Sequence, residues 1–276
     1  KFKISFSGCR TACGLPWVND LGFVLQPDGT YVLVGAGSLG SPPCAGVMLS
    51  SRLLGEEIVA AAAAATRLFN REGDRSRRHK ARLRHVRQRM GDENFKRVFE
   101  QYFQLEMTSR KTLPPVNLPP KNGFQQVLKM MLPQGDLFPE QARTLADALE
   151  RAEGHLRLDL EHGMWLIAKK QLHLPPLFET FSKQPHVVSC PGAALCSRGI
   201  TDCRPVAARV RKIAPLNSVD LSIKVSGCPS GCSMPAVADI GLLGCVRRIG
   251  GERRECYRLV AGGGNGKTAD LAIPLA

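Results

Sequence analysis

The sequence has no long apolar run, although 43% of its residues are hydrophobic. A helix needs about 20 consecutive apolar residues to cross a bilayer. The alanine-rich stretch Ala60–Ala65 is much shorter than that, and Glu56, Glu57 and Arg67 flank it. We therefore interpret this stretch as part of a helix packed in a globular domain, and we expect no membrane span.

An initiator methionine and a signal-peptide pattern are also missing. Lys1 opens directly into the alternating run "KFKISF", which is typical of a β-strand. We therefore expect the chain to begin within a longer protein, without that protein's N-terminal region. The absence of a secretory signal predicts a cytoplasmic location.

Acidic residues are scarce, because 24 Asp and Glu stand against 38 Lys and Arg, and the formal net charge is +14. This excess predicts an anionic partner, which could be a nucleic acid, a membrane surface, a cofactor or a substrate. The most basic run, "RSRRHKARLR" at 75–84, contains no aromatic residue on which a base could stack. Stacking of this run on nucleic-acid bases is therefore not supported, and the kind of anion stays open at this point.

The chain contains an internal repeat. The stretches "SGCRTACGLPWVNDLGFV" at 7–24 and "SGCPSGCSMPAVADIGLL" at 226–243 coincide at eight of eighteen positions. Further along, "YVLVGAGSLG" at 31–40 of the first copy matches "YRLVAGGGNG" at 257–266 of the second. The second copy has seven extra residues before this match, within "CVRRIGGERREC". Each copy predicts a strand, a cysteine loop, a second strand, a turn and a third strand. Two distant copies indicate a duplicated domain with a pseudo-twofold axis rather than a solenoid.

Between the copies the pattern changes from strands to helices. Helices are predicted across Glu56–Asn70, Ser76–Arg89 and Asp92–Phe103, and the proline-rich stretch Lys111–Gly123 is interpreted as a linker. The amphipathic run "PEQARTLADALERAEG" and the strands "HLRLDL" and "MWLIA" belong to a predicted β-α-β-β order, which fits a small ferredoxin-like α+β unit. We therefore predict an α+β protein with a first half at 1–110, a ferredoxin-like domain at 111–184 and a second half at 185–276.

Ten cysteines require an explanation, since a chain of 276 residues does not need disulfides for stability. Cys190 and Cys196 have the spacing C-x5-C, and Cys228 and Cys232 have the spacing C-x3-C. Four thiolates on two glycine-rich loops could bind zinc or an iron–sulfur cluster, and the wide C-x5-C loop favours a 4Fe-4S cluster. Four other cysteines are interpreted as buried structural residues: Cys44, Cys203, Cys245 and Cys256.

These motifs resemble a known enzyme family. The two cysteine spacings, with "SGCPSGC" followed by "ADIGL", are similar to the signature of the siroheme-4Fe-4S nitrite and sulfite reductases. The runs "KFKISFSGC" and "YVLVGAGSLG" and the basic run resemble the first catalytic half of the same family. The resemblance follows the family's order over nearly the whole chain, except for the family's N-terminal region. It implies two duplicated catalytic halves with a ferredoxin-like domain between them.

The resemblance implies that Cys190, Cys196, Cys228 and Cys232 bind a 4Fe-4S cluster. In the family the last of the four, Cys232 in this chain, also bridges the cluster to the siroheme iron. The expected reaction is the six-electron reduction of sulfite to sulfide or of nitrite to ammonia, and the sequence does not discriminate between these substrates. The electron donor would be a ferredoxin or a flavoprotein.

The resemblance also implies that Lys1 and Lys3 are the catalytic lysines, which bind the oxyanion and deliver protons. On alternate residues of a strand, the two side chains would share one face about 7 Å apart. Lysine suits this role because the pKa of an ammonium group shifts readily, whereas the guanidinium of arginine holds its proton too firmly.

Three arginines are implied to bind the siroheme carboxylates. Arg82 matches the family's position for such a cation, and Arg75 and Arg78 are further candidates. Arg78 and Arg82, like Lys80 and Arg84, are four residues apart. On a helix their like charges would repel unless an anion lay against them. Siroheme, with its many carboxylates, would be such an anion.

The sequence departs from the family pattern in several places. Cys9 and Cys13 of the first copy have no upstream C-x5-C partner, so we interpret them as a relic of the duplication that holds no cluster. Ser230 stands where the family commonly has Asn. In the middle domain, "RLDLEHG" at 157–163 replaces the expected polar pattern, so siroheme contacts from Arg157 onward are not expected.

Other functions remain open at this point. A precorrin-3B synthase-like oxygenase is an alternative, because "CPGAALC" and "SGC" also resemble that branch, although the Lys-x-Lys pair argues against it. An electron-transfer protein would hold a cluster without substrate chemistry. A zinc-stabilised RNA-binding module would use the cysteines only for structure. Bound siroheme, cluster iron or zinc distinguishes these functions.

Overall fold

The structure is a computed structural model that describes residues 2–77, 80–109, 126–214 and 221–275. Lys1, Arg78 and the predicted linker Lys111–Gly123 lie outside these residues. The chain divides into two compact units, Lys1–Asn117 with Gly262–Ile273 and Leu118–Ala261 with Pro274–Ala276. The division into three domains stays a prediction. Within the described ranges, no helix combines the length and the apolar composition that crossing a membrane requires.

The first unit contains a four-stranded sheet in the order β1-β2-β3-β4. The strands are β1 Ile4–Ser7, β2 Leu21–Leu25, β3 Tyr31–Gly35 and β4 Val47–Leu53. β1 runs parallel to β2, whereas β2, β3 and β4 are antiparallel neighbours. Leu21, Phe23 and Leu33 are fully buried on this sheet, so alternate residues of β2 and β3 supply the core.

Three helices share that core: α1 Ile58–Glu72, α2 Leu83–Met90 and α3 Asp92–Ser109. α1 confirms the first predicted helix, with both ends two residues further along the chain. Its buried alanines, Ala60, Ala61, Ala64 and Ala65, recur at helical spacing and let the helix approach its neighbours closely. The third predicted helix is confirmed and continues to Ser109.

The second predicted helix, Ser76–Arg89, is wrong at its start, because α2 begins only at Leu83. Ser76 closes a turn instead, in which Oδ1 of Asp74 accepts hydrogen bonds from N and Oγ of Ser76. Arg82 precedes the helix in an extended conformation, with φ −140° and ψ 151°. Arg82 therefore lies outside α2, and the predicted repulsion between i,i+4 cations on a helix gives no support for an anion at this run.

The second unit begins with β5 Gln126–Met131, α4 Pro139–Arg151, β6 Gly154–Leu158, β7 Gly163–Ala168 and α5 Pro176–Ser182. The strands form an antiparallel sheet in the order β5-β7-β6. One core joins this sheet to α4 and α5 and includes the buried side chains of Met130, Leu145, Leu166 and Phe178. The predicted β-α-β-β order is confirmed.

The remaining strands form a five-stranded sheet in the order β12-β11-β10-β9-β8. Its strands are β8 Val187–Ser189, β9 Ile223–Ser226, β10 Ile240–Ile249, β11 Glu252–Ala261 and β12 Ile273–Pro274. β8, β9 and β10 are parallel neighbours, and β10 and β11 form an antiparallel hairpin. Helix α6, Cys203–Ile213, packs on β8 and β9 through a small core.

The two copies of the repeat fold alike, position for position. β1 pairs with β2 from Ile4 opposite Leu21, and β9 pairs with β10 from Ile223 opposite Ile240, which is the same register 219 residues later in the chain (223 − 4 = 219; 240 − 21 = 219). In each copy a 3-10 turn follows the cysteine loop, at Pro16–Val18 and at Pro235–Val237. The duplication inferred from the sequence is therefore confirmed in the backbone.

The same side chains support both copies. Asp20 Oδ2 accepts a hydrogen bond from N of Lys3 at 2.8 Å, and Asp239 Oδ2 accepts one from N of Ser222, also at 2.8 Å. Each aspartate thus holds the start of the neighbouring parallel strand. The repeated Asp was visible in the sequence alignment, but its structural role was not.

The seven extra residues of the second copy lengthen the β10–β11 hairpin. β10 and β11 are ten residues each, whereas β2 and β3 are five residues each. Gly250 and Gly251 connect β10 to β11 with φ values of 61° and 84°. Positive φ at both central residues is what a two-residue type I′ hairpin turn requires.

The end of this hairpin carries a concentration of arginine. Arg247 lies opposite Arg254, and Arg248 lies opposite Arg253. Like charges in directly opposed positions weaken a strand pair. The exposed end of the hairpin carries these four arginines together with Glu252 and Glu255, and Nη2 of Arg254 donates to Oε2 of Glu252 at 3.2 Å. Its net charge is therefore positive.

Candidate functional site

The first cysteine loop runs from Cys190, after β8, to Thr201, shortly before α6. It folds tightly, because N of Cys196 donates a hydrogen bond to O of Gly192 at 2.9 Å. Gly192 has φ +67°, and a Cβ there would lie 2.7 Å from N and 2.8 Å from Sγ of Cys203. A larger residue would therefore open the loop.

Gly227, just before Cys228, joins the two cysteine loops. Its carbonyl oxygen accepts hydrogen bonds from N of Ile200 at 2.8 Å and N of Thr201 at 3.0 Å. Its own N–H donates to Sγ of Cys190, with N and Sγ 3.2 Å apart. A Cβ at this position would lie 2.6 Å from O of Thr201. An amide aimed at a cysteine sulfur is the kind of contact that tunes an iron–sulfur site.

The second cysteine loop is closed at its base by two serines. Oγ of Ser226 accepts a hydrogen bond from N of Ser233 at 3.1 Å, and the two hydroxyl oxygens lie 2.7 Å apart. The loop holds Cys228 buried and Cys232 exposed. In the first copy, Oγ of Ser7 accepts from N of Gly14 at 3.0 Å in the equivalent position.

The structure brings the two loops together but does not gather their thiols. Over the described residues, no three His, Cys, Asp or Glu side chains come close enough to hold a metal ion. The donor set nevertheless suits an iron–sulfur cluster, since it consists of four thiols on two loops that are hydrogen-bonded to each other. The ligand roles of Cys190, Cys196, Cys228 and Cys232 stay a prediction.

Cys203 lies next to the predicted ligand Cys190, which the sequence analysis did not anticipate. The two Sγ atoms are 3.6 Å apart, and Sγ of Cys203 donates to O of Cys190 at 2.8 Å. Burial, followed by the hydrogen bond and charge of Cys190, raises the pKa of Cys203 to about 12. The spacing C-x6-C from Cys196 to Cys203 was the available sequence signal.

Of the four cysteines that we expected to be buried, Cys203 alone is fully buried, and Cys44, Cys245 and Cys256 are half-buried. Cys245 and Cys256 face each other across β10 and β11. This pair therefore lies at the first position of the β10–β11 hairpin that extends beyond the shorter β2–β3 hairpin of the first copy. The sequence pattern identified the insertion but not this pairing.

Two of the predicted catalytic and siroheme-binding residues, Lys3 and Arg75, are exposed. Lys3 immediately precedes β1. Nη2 of Arg75 donates a hydrogen bond to Oδ1 of Asn70, and its guanidinium carbon lies 5.7 Å from the centre of the Phe69 ring. Exposed cations of this kind suit an anionic ligand, and their roles stay predictions.

Arg82 binds a buried carboxylate of the protein itself. Its Nε and Nη2 donate to the two oxygens of Asp20 at 3.1 and 2.9 Å. Asp20 is completely buried and also accepts hydrogen bonds from N of Lys3 and N of Leu83. The extended conformation of Arg82 before α2 places the guanidinium against this carboxylate. Arg82 thus has a structural role, and its role in binding siroheme stays a prediction.

We expect Arg82→Gln to lower the free energy of unfolding by about 2 kcal/mol, because it removes two charge-assisted hydrogen bonds from a buried carboxylate. Denaturant unfolding of the purified variant measures the loss. Arg52→Gln is the matched control, since Arg52 is 73% exposed and its distance to Asp28 is 4.0 Å. That control should unfold like the wild type, and equal losses in both variants would contradict the structural role of Arg82.

The next arginine in the same run is also engaged. Arg84 is buried, and its Nη1 donates to the carbonyl oxygens of Gly40 and Pro42. Burial lowers the pKa of this guanidinium. Two arginines of the basic run at 75–84, Arg82 and Arg84, thus bind partners within the protein.

The acidic residues of the segment "RLDLEHG" at 157–163 support the second unit. Asp159 Oδ1 accepts hydrogen bonds from N of Glu161 and N of Gly163, both at 2.7 Å, which closes the turn between β6 and β7. Oε1 of Glu161 lies 2.5 Å from Nζ of Lys224 on β9, whose side chain is completely buried. Oε2 of Glu161 lies 2.7 Å from Nε2 of His186, within ion-pair distance but without hydrogen-bond alignment.

The charge state of Glu161 follows from these contacts. Burial alone would raise the pKa of its carboxyl group, but His186 and Lys224 together lower it from 4.5 to about 2. Glu161 is therefore ionised at neutral pH and balances the buried ammonium of Lys224. This pair connects the turn of the small sheet to the strand that leads into Cys228.

Comparisons with known proteins agree with this architecture. The chain is 28% identical over 302 residues to a ferredoxin–nitrite reductase of Leptolyngbya laminosa, covering 98% of this chain and 58% of that protein. It is 26% identical to the chloroplastic ferredoxin–nitrite reductase of Oryza sativa, covering 99% of this chain and 51% of that protein. The chain thus spans just over half the length of these relatives.

A solved structure shares the fold. The Mycobacterium tuberculosis NirA protein superposes with a TM-score of 0.72 at 21% sequence identity, over 98% of this chain and 55% of the other. The family described as "Nitrite and sulphite reductase 4Fe-4S domain" matches residues 1–107 and 182–275, which contain both copies of the repeat and all ten cysteines. The chain therefore belongs to the nitrite and sulphite reductase 4Fe-4S domain family.

Proposed function

We propose that the chain is the catalytic part of a siroheme-4Fe-4S reductase that converts nitrite to ammonia or sulfite to sulfide with six electrons. The observation that carries the proposal is Gly227, which hydrogen-bonds the loop of Cys190 and Cys196 to the loop of Cys228 and Cys232. Two loops fixed in this way offer four thiols of the type that binds a 4Fe-4S cluster. Nitrite is the first substrate to test, because the printed names of the relatives specify it.

In this proposal the four cysteines would hold the cluster, and Cys232 would help to hold siroheme as well. Bound together, the cluster and siroheme would supply electrons to the substrate. Residues of the chain itself would bind the substrate and supply the protons. The amide of Gly227 stabilises the negative sulfur of Cys190, and the ammonium groups of Lys1 and Lys3 attract the oxyanion and donate protons to its oxygens.

Positive charge would hold the siroheme carboxylates in place. Arg82, Arg78 and Arg75 are the proposed cations, and Arg75 is the exposed one whose position the structure describes. Arg82 would serve this role in addition to binding Asp20. The net charge of +14 favours the approach of both an anionic cofactor and an anionic substrate.

The proposed electron donor is a ferredoxin, with a flavoprotein as the second candidate. The printed names of the relatives specify ferredoxin. The arginine pairs at the end of the β10–β11 hairpin would suit a negatively charged donor. Gly244 links this hairpin to the site, because a Cβ there would lie 2.7 Å from the carbonyl group of Gly227. The proposal includes a cytoplasmic location, where thiols stay reduced.

The test combines an absorption spectrum with metal analysis on the full chain, purified anaerobically from cells that make siroheme. We expect siroheme bands, about four cluster irons per chain, and reduction of nitrite by a chemically reduced dye. Cluster iron without siroheme would favour the precorrin-3B synthase-like or electron-transfer alternative. Stoichiometric zinc without iron would contradict the proposal and favour the zinc-stabilised module.

A further inference from the structure

Cys190 and Cys203 form a close pair of thiols within the first cysteine loop. Their Sγ atoms are 3.6 Å apart, and Sγ of Cys203 also donates to the carbonyl oxygen of Cys190 at 2.8 Å. Cys203 is completely buried at the start of α6, whereas Cys190 is half-buried. Cys190 directly follows β8, and Cys203 is the first residue of α6, so regular elements position both backbones.

We propose that Cys190 and Cys203 form a reversible disulfide when the protein is oxidised without its cluster. The proposal rests on the proposed function, because it treats Cys190 as a cluster ligand. The disulfide would remove Cys190 from the ligand set and so prevent assembly of the cluster. Reduction of the bond would return Cys190 to the site.

The geometry of the loop favours this particular bond. A disulfide brings two sulfurs to about 2.05 Å, so the pair must close by roughly 1.5 Å. Gly192 leaves the space for Sγ of Cys203, since a Cβ at this position would lie 2.8 Å from that sulfur. The hydrogen bond from N of Gly227 to Sγ of Cys190 fixes the other sulfur nearby.

A peroxide is the oxidant that we name. The sulfur of Cys190, which solvent reaches, attacks hydrogen peroxide, so that the O–O bond breaks, one water leaves and a sulfenic acid forms. The sulfur of Cys203 then attacks the sulfur of that sulfenic acid, loses its proton and displaces a second water. Two thiols and one peroxide thus give one disulfide and two waters. A dithiol reductant reverses the reaction and is itself oxidised to a disulfide.

The disulfide also has a protective consequence. A sulfenic acid that finds no second thiol is oxidised further to sulfinic acid, which dithiols do not reduce. Cys203, whose Sγ lies 3.6 Å from that of Cys190, provides a second thiol that competes with this further oxidation. The proposal therefore predicts that oxidation damage at Cys190 is reversible in the wild-type chain and becomes irreversible when Cys203 is replaced.

The experiment uses the full chain after its iron is removed with a chelator. The protein is treated with hydrogen peroxide, its remaining thiols are alkylated, and its peptides are analysed by mass spectrometry. We expect a peptide that links Cys190 to Cys203 and that weighs two hydrogen atoms less than the two reduced peptides together. Cluster uptake from iron and sulfide should fall at least tenfold and return to at least half after dithiothreitol treatment.

Cys203→Ser and Cys44→Ser are the matched variants. After peroxide and dithiothreitol, Cys44→Ser should recover like the wild type, whereas Cys203→Ser should stay at least fivefold lower and carry sulfinic acid at Cys190. Absence of the linked peptide in the wild type, or full recovery of Cys203→Ser, would overturn the inference. If untreated wild-type protein takes up no cluster, the proposed function fails instead, and the linked peptide still decides whether the disulfide forms.

Discussion

Cluster iron should fall from about four atoms per chain to less than one in Cys232→Ala, while Cys13→Ala keeps the wild-type content. The two residues occupy equivalent positions in the two copies of the repeat, and both are exposed. Neither substitution removes a buried side chain, so loss of iron in Cys232→Ala cannot be attributed to unfolding. The measurement is the total iron of anaerobically purified protein, minus the siroheme iron determined from its absorption spectrum.

The prediction depends on the loop that accompanies the second copy. That loop contains Cys190 and Cys196 and is hydrogen-bonded to Gly227, next to Cys228. The proposed ligand set therefore combines these two cysteines with Cys228 and Cys232. Cys228→Ala and Cys9→Ala extend the comparison, with the folding of Cys228→Ala checked by circular dichroism because Cys228 is buried and Cys9 is exposed. Iron loss in the Cys9 or Cys13 variants, with retention in the Cys228 and Cys232 variants, would show that the ligands belong to the first copy.

Glu161→Gln should destabilise the second unit by about 3–5 kcal/mol, because it leaves the ammonium of Lys224 buried without a counter-charge. Lys224 is completely buried, and Glu161 provides the carboxylate that contacts it. Denaturant unfolding measures the effect. Glu153→Gln is the control, since Glu153 and its partner Lys170 are both more than half exposed, and it should show no measurable change.

A double variant tests whether the loss of stability comes from the ion pair between Lys224 and Glu161. Lys224→Met combined with Glu161→Gln removes both charges, so we expect it to recover much of the stability that Glu161→Gln loses. If the double variant is as unstable as the sum of the two single variants, Lys224 and Glu161 act independently and the interpretation is wrong.

The same pair predicts the direction of the pH dependence. The pKa of Glu161 is lowered from 4.5 to about 2 in the folded chain, so its contribution is fully present above pH 4.5 and is lost as the pH falls toward 2. The wild type should therefore lose stability through this window, and Glu161→Gln should lose less. Unfolding curves at several pH values below 5 compare the two slopes.

Local patterns predicted much of the fold correctly. The repeat, the position of α1 and the β-α-β-β order follow from hydrophobic periodicity and from turn residues, which act within a few positions. The predicted start of α2 was wrong because the true start depends on a contact with a residue far away in the sequence. Arg82 is held extended by the carboxylate of Asp20, 62 residues earlier, and no local signal indicates that contact.

The candidate site shows the same limit. The spacings of Cys190, Cys196, Cys228 and Cys232 indicated which loops to examine, and the structure places those loops side by side. The neighbours of the site were not predictable in this way. Cys203 resembled any buried cysteine, and Glu161 resembled any charged turn residue, until their long-range contacts with Cys190 and Lys224 were known.

The Gly250–Gly251 turn offers a practical entry point for experiments. A Cβ built at either glycine would meet no atom within 4 Å, so the space around the tip is open. A short peptide tag inserted between the two glycines would extend into solvent, at the type of exposed loop tip where insertions are best accepted. A fluorophore or spin label attached there would report on any protein that approaches the arginine pairs, while the cysteine loops remain unmodified.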